Sequence, residues 1–544
     1  MLTETISDCL LSAILAIPLA MLAIAAVPCA RIRIAAYLPL APLPGLVAAI
    51  AVPDGSEIAL PQSLLGLTLV KDATGAMLLG AASLLWIAGG IWALRSAGDL
   101  GKEFVIWWLI TLTGSLGVFL AADMIGFYLF YTLVSLAAYG LIVHDDTPEA
   151  HRAASLYVAL ALLGEAFLLV AFVLLAAATP DRSLLISDAV ASLASSPWRD
   201  ITLTLIVLGF GLKIGLVPLH VWMPLTYAAA PIPAAAVLSG AAVNAGVIGL
   251  IRFLPFDSGL ATWGEAIAAM GLLSAFYGVA IGITQSNPKV VLAYSSVSQM
   301  GFIATVLGMG LATRNTSAPL AAAFYAMHHT FAKGGLFLAV GAAGSRATRY
   351  VWVVLLPAAA LALALAGLPL TGGQLAKLVA KGVLGDGIVG TLATLAAAGS
   401  TLLMLFFLYR VSAHAPQHSK TPVSLPLIAT WLVLTGTGLV LPWILLPTVT
   451  DIPWRAALTL KELWGVLWPI LIGVALAAIL WPRRKSLPRL PEGDVLALGE
   501  RCAPAARQLA IVFERADDAL RQWPVAGTCV VLLVVLTALA VAGG

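Results

Sequence analysis

Apolar positions run along this chain in blocks of about 20 residues, broken by short polar or proline-rich stretches. Windows of roughly 20 residues, the length a helix needs to cross a bilayer's hydrocarbon core, predict spans near 9–28, 34–52, 72–93, 104–122, 125–143 and 154–177. More are expected near 201–227, 233–252, 263–284, 290–310 and 318–343, and the last group near 350–385, 389–410, 424–446, 463–481 and 525–542. The reading is an all-α polytopic membrane protein of about sixteen transmembrane helices. Two spans, 201–227 and 350–385, are longer than one crossing needs and are interrupted, by Pro218 and Pro224 in the first and by Pro369 with Gly372–Gly373 in the second.

One segment breaks the pattern. From Val495 to Trp523 the apolar residues Val495, Leu498, Cys502, Ala505, Leu509, Val512, Ala516, Ala519 and Trp523 alternate at spacings of three and four, with charged residues between them. That spacing predicts an amphipathic helix lying along the membrane, about 40 Å long at 1.5 Å per residue, with Pro504 as a kink or as its true start. It reads equally as a helix packed on its own bundle or as a strap reaching a neighbouring subunit. The span 525–542 then serves as an anchor.

Composition agrees with the pattern. The chain of 544 residues is 61% hydrophobic and 10% charged, with a mean hydropathy of +1.02, whereas soluble domains carry roughly a quarter charged residues. A net charge of +3 gives no reason to expect nucleic acid. The four cysteines, Cys9, Cys29, Cys502 and Cys529, form no CxxC pair, so no iron–sulfur, zinc or haem site is expected. No secretory leader is expected, because Asp8 precedes the first apolar run. No cofactor is expected either: no glycine-rich nucleotide loop or nucleophile triad is present.

Basic residues fall unevenly on alternate loops. One set holds Arg31, Arg33, Arg95, Lys102, Arg152, Lys289, Arg346, Arg349, Arg410, Lys420, Arg483, Arg484, Lys485 and Arg489; the other holds Arg182, Arg199, Arg252, Arg314, Arg455 and Lys461. The positive-inside rule puts the first set, with the amphipathic helix, in the cytoplasm and both termini outside, as for a bacterial-type inner (plasma) membrane protein.

The chemistry lies in ionisable residues at mid-span. Lys213 precedes the first interruption and Lys377 follows the second; Glu165 sits mid-span in LALLGEAFLLVAF; His328, His329 and Lys333 share FYAMHHTFAKGGLFL. A buried lysine costs about 2.5–3.5 kcal/mol on insertion scales. Lys213 lies beyond comfortable snorkelling reach of either interface, and a lone buried histidine is often only bonded to a carbonyl. A row of five such groups, Glu165, Lys213, His329, Lys333 and Lys377, points to a proton relay. His220, Asn244, His328, Lys381 and Thr132 are secondary candidates. Corresponding interrupted helices in two halves suggest inverted repeats with a transport path at mid-depth.

KIGLVPLHVWMPLTYAAAPIPAAAVLSG (Lys213–Gly240), NPKVVLAYSSVSQMGF (Asn287–Phe302), HHTFAKGGLFL (His328–Leu338) and GLPLTGGQLAKL (Gly367–Leu378) together resemble the antiporter-like, proton-conducting membrane subunits of respiratory complex I, Mrp cation/proton antiporters and membrane-bound hydrogenase or formate hydrogenlyase complexes. The resemblance covers roughly residues 70–410 and implies about fourteen core helices and two inverted five-helix repeats. The corresponding divisions are N-terminal helices 1–103, repeats 104–253 and 254–410, C-terminal helices 411–484, a lateral helix 485–523 and an anchor 524–544. It further implies broken helices carrying Lys213 and Lys377, and a central axis through His329 and Lys333. The lateral helix and anchor are similar to those of complex I L-type subunits.

This chain departs from the family at several positions. Tyr131, Thr132 and Leu133 stand where the family has W-E-L, Asn244 stands where a lysine is usual, Leu225 replaces an aspartate, and Asn287 opens the loop read elsewhere as DxK. Glu165, one helix later, is the expected substitute partner of Lys213. The resulting expectation is a proton-translocating subunit of a complex I-like or hydrogenase-like assembly, with other membrane subunits and a soluble arm as partners. The alternatives are a cation/proton antiporter module, the membrane partner of an inorganic-carbon uptake system, or a scaffold that has lost transport. The chain has no catalytic centre of its own in any of these readings.

Overall fold

The computed structural model describes residues 2–27, 33–60, 66–96, 103–344, 351–414, 424–484 and 488–493. The lateral helix expected over Val495–Trp523 and the anchor over 525–542 lie outside these residues. Among the described residues ten helices are long and apolar enough to cross a membrane, with shorter apolar helices at Leu38–Ala51, Phe104–Gly117 and Trp352–Ala366. The expected spans 201–227 and 350–385 are not among the ten, because each is split into two shorter helices. Ala318–Gly344 is a continuous helix of 27 residues and is also not one of them; His328, His329, Thr330 and Lys333 at its centre lower its hydropathy.

The helices are α1 (Leu2–Ala26), α2 (Leu43–Ala51), α3 (Ala73–Ser96), α4 (Phe104–Gly117), α5 (Met124–Leu136, continued by Ala138–Ile142) and α6 (Pro148–Ala178). A short surface helix α7 (Ile186–Leu193) leads to α8 (Arg199–Ile214), α9 (Trp222–Ala229), α10 (Ile232–Val237) and α11 (Asn244–Phe253). Then come α12 (Ala261–Gly282), α13 (Pro288–Thr313), α14 (Ala318–Gly344), α15 (Trp352–Ala366), α16 (Gly372–Leu384), α17 (Ile388–His414), α18 (Leu425–Val449) and α19 (Leu460–Leu480). Their boundaries follow local chemistry. Thr147 caps α6, its hydroxyl accepting from Ala150 N at 3.1 Å, with Pro148 in the first turn. Asn287 caps α13 in the same way ahead of Pro288.

One element departs from the all-α expectation. Ser56–Leu60 and Leu67–Lys71 form an antiparallel hairpin, β1 and β2, and β2 pairs further with the link between α4 and α5 through Leu69 and Ala121. Asp123 completes the joint: its carboxylate accepts from Thr68 N at 2.8 Å and from Gly126 N, at the start of α5, at 2.6 Å. Arg252, at the end of α11, donates to the carbonyls of Ala121 and Phe119 and approaches Asp72 at 3.4 Å, tying that joint to the bundle. The hairpin strands are too short to register as a span, and the bridge that ties β2 to Ala121 joins residues distant in sequence.

The core is α10–α11, α13 and α14, which are buried nearly throughout. The helix α14 is enclosed by α3, α10, α13, α15, α16 and α18. Small residues permit the closest approach, between α12 and α13: a Cβ on Gly271 would lie 2.5 Å from the Gly301 carbonyl oxygen, and one on Gly301 would lie 2.5 Å from that of Gly271. In a bilayer, where no hydrophobic effect drives helices together, such backbone proximity is what holds them.

Candidate functional site

Both interruptions are built by backbone that cannot stay helical. Gly215 ends α8 with φ +70, and Gly367 ends α15 with φ +101; only glycine adopts such angles without strain. The polar groups freed at each break find side-chain partners, as burial in protein requires. At the first, Trp222 Nε1 donates to the Leu212 carbonyl at 2.8 Å, and Ser274 Oγ accepts from Val217 N at 2.9 Å. At the second, Gln374 Oε1 accepts from Leu370 N at 2.6 Å while its amide donates to the Ala457 carbonyl at 2.6 Å.

Each break holds one lysine beside the C-terminal end of its first half-helix, where the helix dipole favours a cation. Lys213 lies in the last turn of α8, buried, with Nζ 2.8 Å from Ser135 Oγ and 3.3 Å from the Tyr157 hydroxyl. The rings of Tyr131 and Tyr157 stand 5.6 and 5.9 Å away, within cation–π range. Lys377 sits on the second half-helix and reaches back to donate to the carbonyl of Ala366, the last residue of α15. It is half-buried and faces a crevice.

Glu165 is buried on α6 and lies within electrostatic reach of Lys213 and of the Thr132 hydroxyl. Its Oε1 and Thr132 Oγ1 are buried atoms with no hydrogen-bond partner among the described residues. A cavity of about 20 Å³ adjoins Lys213, Ser135, Tyr157 and Gly164, enough for a single water.

The middle of the row lies on α14. Lys333 is fully buried and donates to the Leu292 carbonyl of α13 at 2.8 Å. His329, one turn away, is fully buried with both ring nitrogens lacking hydrogen-bond partners among the described residues. Thr330 joins this helix to the first half of the chain. Between α10 and α11 the backbone makes one π-helical turn, Leu238–Ala242, a feature common at functional sites because it loosens the carbonyl ladder. The Gly240 carbonyl there accepts from Asn244 Nδ2 and from Thr330 Oγ1, each at 2.9 Å.

The secondary candidates separate. His328 packs against the second break, where a Cβ on Gly373 would lie 3.1 Å from its Nε2, and it is within electrostatic reach of Lys377. His220 is buried with its ring 5.0 Å from that of Tyr277 and 6.1 Å from that of Tyr294. Lys381 is exposed and paired with Glu462 at 3.0 Å. Residues the sequence reading passed over are Ser135 and Tyr157, the partners of Lys213, and a buried chain in which Tyr325 donates to Gln299 Oε1 and Gln299 Nε2 donates to Ser400 Oγ at 3.1 Å. Ser, Tyr and Gln in apolar spans are a weak signal, since each is also common where it only satisfies itself. Among the described residues no group of three His, Cys, Asp or Glu side chains could hold a metal ion.

Fold and site together define a polytopic helical membrane protein with two interrupted helices, a lysine at each, and further ionisable residues buried between them. Residues 121–405 match the family described as NADH:quinone oxidoreductase/Mrp antiporter, TM, and the chain belongs to it. Hydrogenase-4 component B of Escherichia coli is 28% identical over 312 residues, covering 54% of this chain and 45% of that protein. NADH-quinone oxidoreductase subunit N of Desulforudis audaxviator is 29% identical over 323 residues, covering 54% of this chain and 63% of that protein. The chain thus spans about half to two thirds of the length of these relatives. A structure of the Mrp complex from Dietzia sp. DQ12-45-1b shares the fold with a TM-score of 0.76 at 22% identity, covering 98% of this chain and 62% of that one.

Proposed function

We propose that the protein is a proton-translocating membrane subunit of a complex I-like or hydrogenase-like assembly. Protons move along Glu165, Lys213, His329, Lys333 and Lys377, with Asn244 and Thr330 bridging the two halves. The observation that carries this reading is the placement of a lysine at each helix break, Lys213 buried and Lys377 half-buried, with a third, Lys333, buried on the enclosed helix between them. A lysine in such a place is costly to keep charged and has neighbours that respond to its charge, so its protonation is coupled to the next group.

The order of elements supports two five-helix repeats: α4, α5, α6, the broken α8–α9 and α10–α11, then α12, α13, α14, the broken α15–α16 and α17. In each set the fourth member is the interrupted one, as expected where alternating access is built on repeats. Charge asymmetry of the loops puts both termini outside. A soluble arm would supply the driving reaction.

The test is proton uptake by vesicles holding the purified, assembled complex, read with a pH-sensitive dye. Lys213→Ala abolishes coupled uptake; unchanged uptake would sink the proposal. A second reading, a cation/proton antiporter module, is favoured by the match of nearly the whole chain to the fold of an Mrp complex. Mass spectrometry of the gently solubilised assembly separates the two: iron–sulfur subunits accompany the first, and only small membrane proteins the second.

A further inference from the structure

The second break opens on a crevice lined by an ion pair, one partner of which lies outside the family match. Between α16, α17 and α19 lies a crevice of about 240 Å³, with Lys377 on its wall. One helical turn from Lys377 along α16 stands Lys381, whose Nζ is 3.0 and 3.2 Å from the two carboxylate oxygens of Glu462. Glu462 comes from α19, beyond residue 405, where the family match ends.

Local structure does not require this carboxylate. The run Thr459-Leu460-Lys461-Glu462 has the spacing of a capping box, in which the glutamate returns to the N-cap N–H. Here Thr459 does cap the helix, accepting from Glu462 N at 3.4 Å, but its own N–H is bonded to the Ala456 carbonyl at 3.4 Å. The Glu462 side chain is therefore left to reach across to α16. The pair is unevenly exposed, 45% for Lys381 and 20% for Glu462, as a rim should be. The helix it restrains begins just after a break, at Gly367 and Leu370, where backbone with positive φ breaks the helical ladder.

We propose that the Lys381–Glu462 ion pair is a gate on the crevice, narrowing solvent's access to Lys377 while the pair is closed and widening it when Lys377 carries charge. This rests on the proton-path reading, since a gate matters only if Lys377 exchanges protons with solvent. The charge logic is direct. Lys377 and Lys381 are four residues apart on one helix face, so a second positive charge at Lys377 repels Lys381 and competes for Glu462. The other charged or titratable groups around the crevice are Asp386 in the loop after α16, Lys461 beside Glu462 on α19, and His328 from α14 on the far side of the break.

The experiment labels single cysteines with a membrane-impermeant thiol reagent in the full chain, with Cys9, Cys29, Cys502 and Cys529 replaced by serine. Leu378→Cys reports the crevice wall, and Thr391→Cys, exposed at its edge, reports general access. Adding Glu462→Gln should speed labelling at position 378 by on the order of fivefold, the range a partly exposed ion pair can contribute, and leave position 391 unchanged. The charge swap Lys381→Glu with Glu462→Lys should return labelling to the slow rate, which also excludes misfolding as the cause. Labelling at 378 that ignores both changes overturns the gate, as does equal acceleration at 391. If labelling responds as stated but Lys377→Ala retains proton transport, the gate stands and the proton path falls.

Discussion

The side-chain amide of Asn244 donates to the hydroxyl of Thr330 at 2.8 Å, and both groups also reach the carbonyl of Gly240. This three-way contact joins the π-helical turn of the first half to the enclosed helix α14 of the second, one residue from His329. A lysine at position 244 would put an ammonium into this packed space. Asparagine keeps the connection as a neutral hydrogen-bonded bridge instead.

Removing that bridge should destabilise the bundle. Thr330→Val keeps the side chain's shape but strips Asn244 Nδ2 of an acceptor, at a cost of about 1–3 kcal/mol. Asn244→Leu should cost a similar amount, and the double variant less than the sum, because both act on one carbonyl. Thermal unfolding of the detergent-purified protein measures all three.

The hydroxyls on Lys213 should matter for rate more than for folding. Ser135→Ala and Tyr157→Phe each remove one acceptor from the ammonium, and hydrogen bonds to charged groups are worth about 1.5–3 kcal/mol. Each variant is expected to slow coupled proton uptake by on the order of tenfold. Wild-type rates in both would mean that Lys213 takes no part in the rate-limiting step.

Glu165 should be replaceable from the neighbouring helix. Glu165→Gln is expected to impair coupled uptake, and adding Thr132→Glu to restore much of it, because Thr132 already lies within reach of the Glu165 carboxylate. Full uptake by Glu165→Gln alone would show that Lys213 needs no acidic partner.

The glycine contacts separate packing from composition. Gly301→Leu puts a side chain where the Gly271 carbonyl lies 2.5 Å from the new Cβ, so α12 and α13 must part and the protein should fail to give a monodisperse peak on size-exclusion chromatography. Gly436→Ala on α18 meets nothing within 4 Å. It should be neutral or raise stability by about 0.5–1 kcal/mol through reduced chain entropy and better helix propensity.

Much of the architecture was legible before any coordinates. The bilayer forces backbone groups to be satisfied within each segment, so hydropathy alone marks the helices, and glycine or proline in an overlong span marks a break. Lys213, Lys333 and Lys377 stood out for the same reason: a lysine in an apolar run has no inexpensive explanation. The hairpin Ser56–Leu60 with Leu67–Lys71 was missed. Beyond its own local ladder it is held by Ala121 and Asp123, some 50 residues away, and no short window of sequence contains those contacts.

The sequence by itself determined that this is a polytopic membrane protein, where its helices break, and which charges lie buried. It also placed the chain among its relatives and marked Thr132 and Asn244 as departures from them. Only the tertiary structure decided what the lysines touch: Ser135 and Tyr157 for Lys213, the Leu292 carbonyl for Lys333, the Ala366 carbonyl for Lys377, and Glu462 for Lys381. Burial is a property of a segment and can be summed along the chain. The partner of a buried polar group is whichever donor or acceptor the packing of other helices brings within about 3 Å, and most of these partners lie far from it in the sequence.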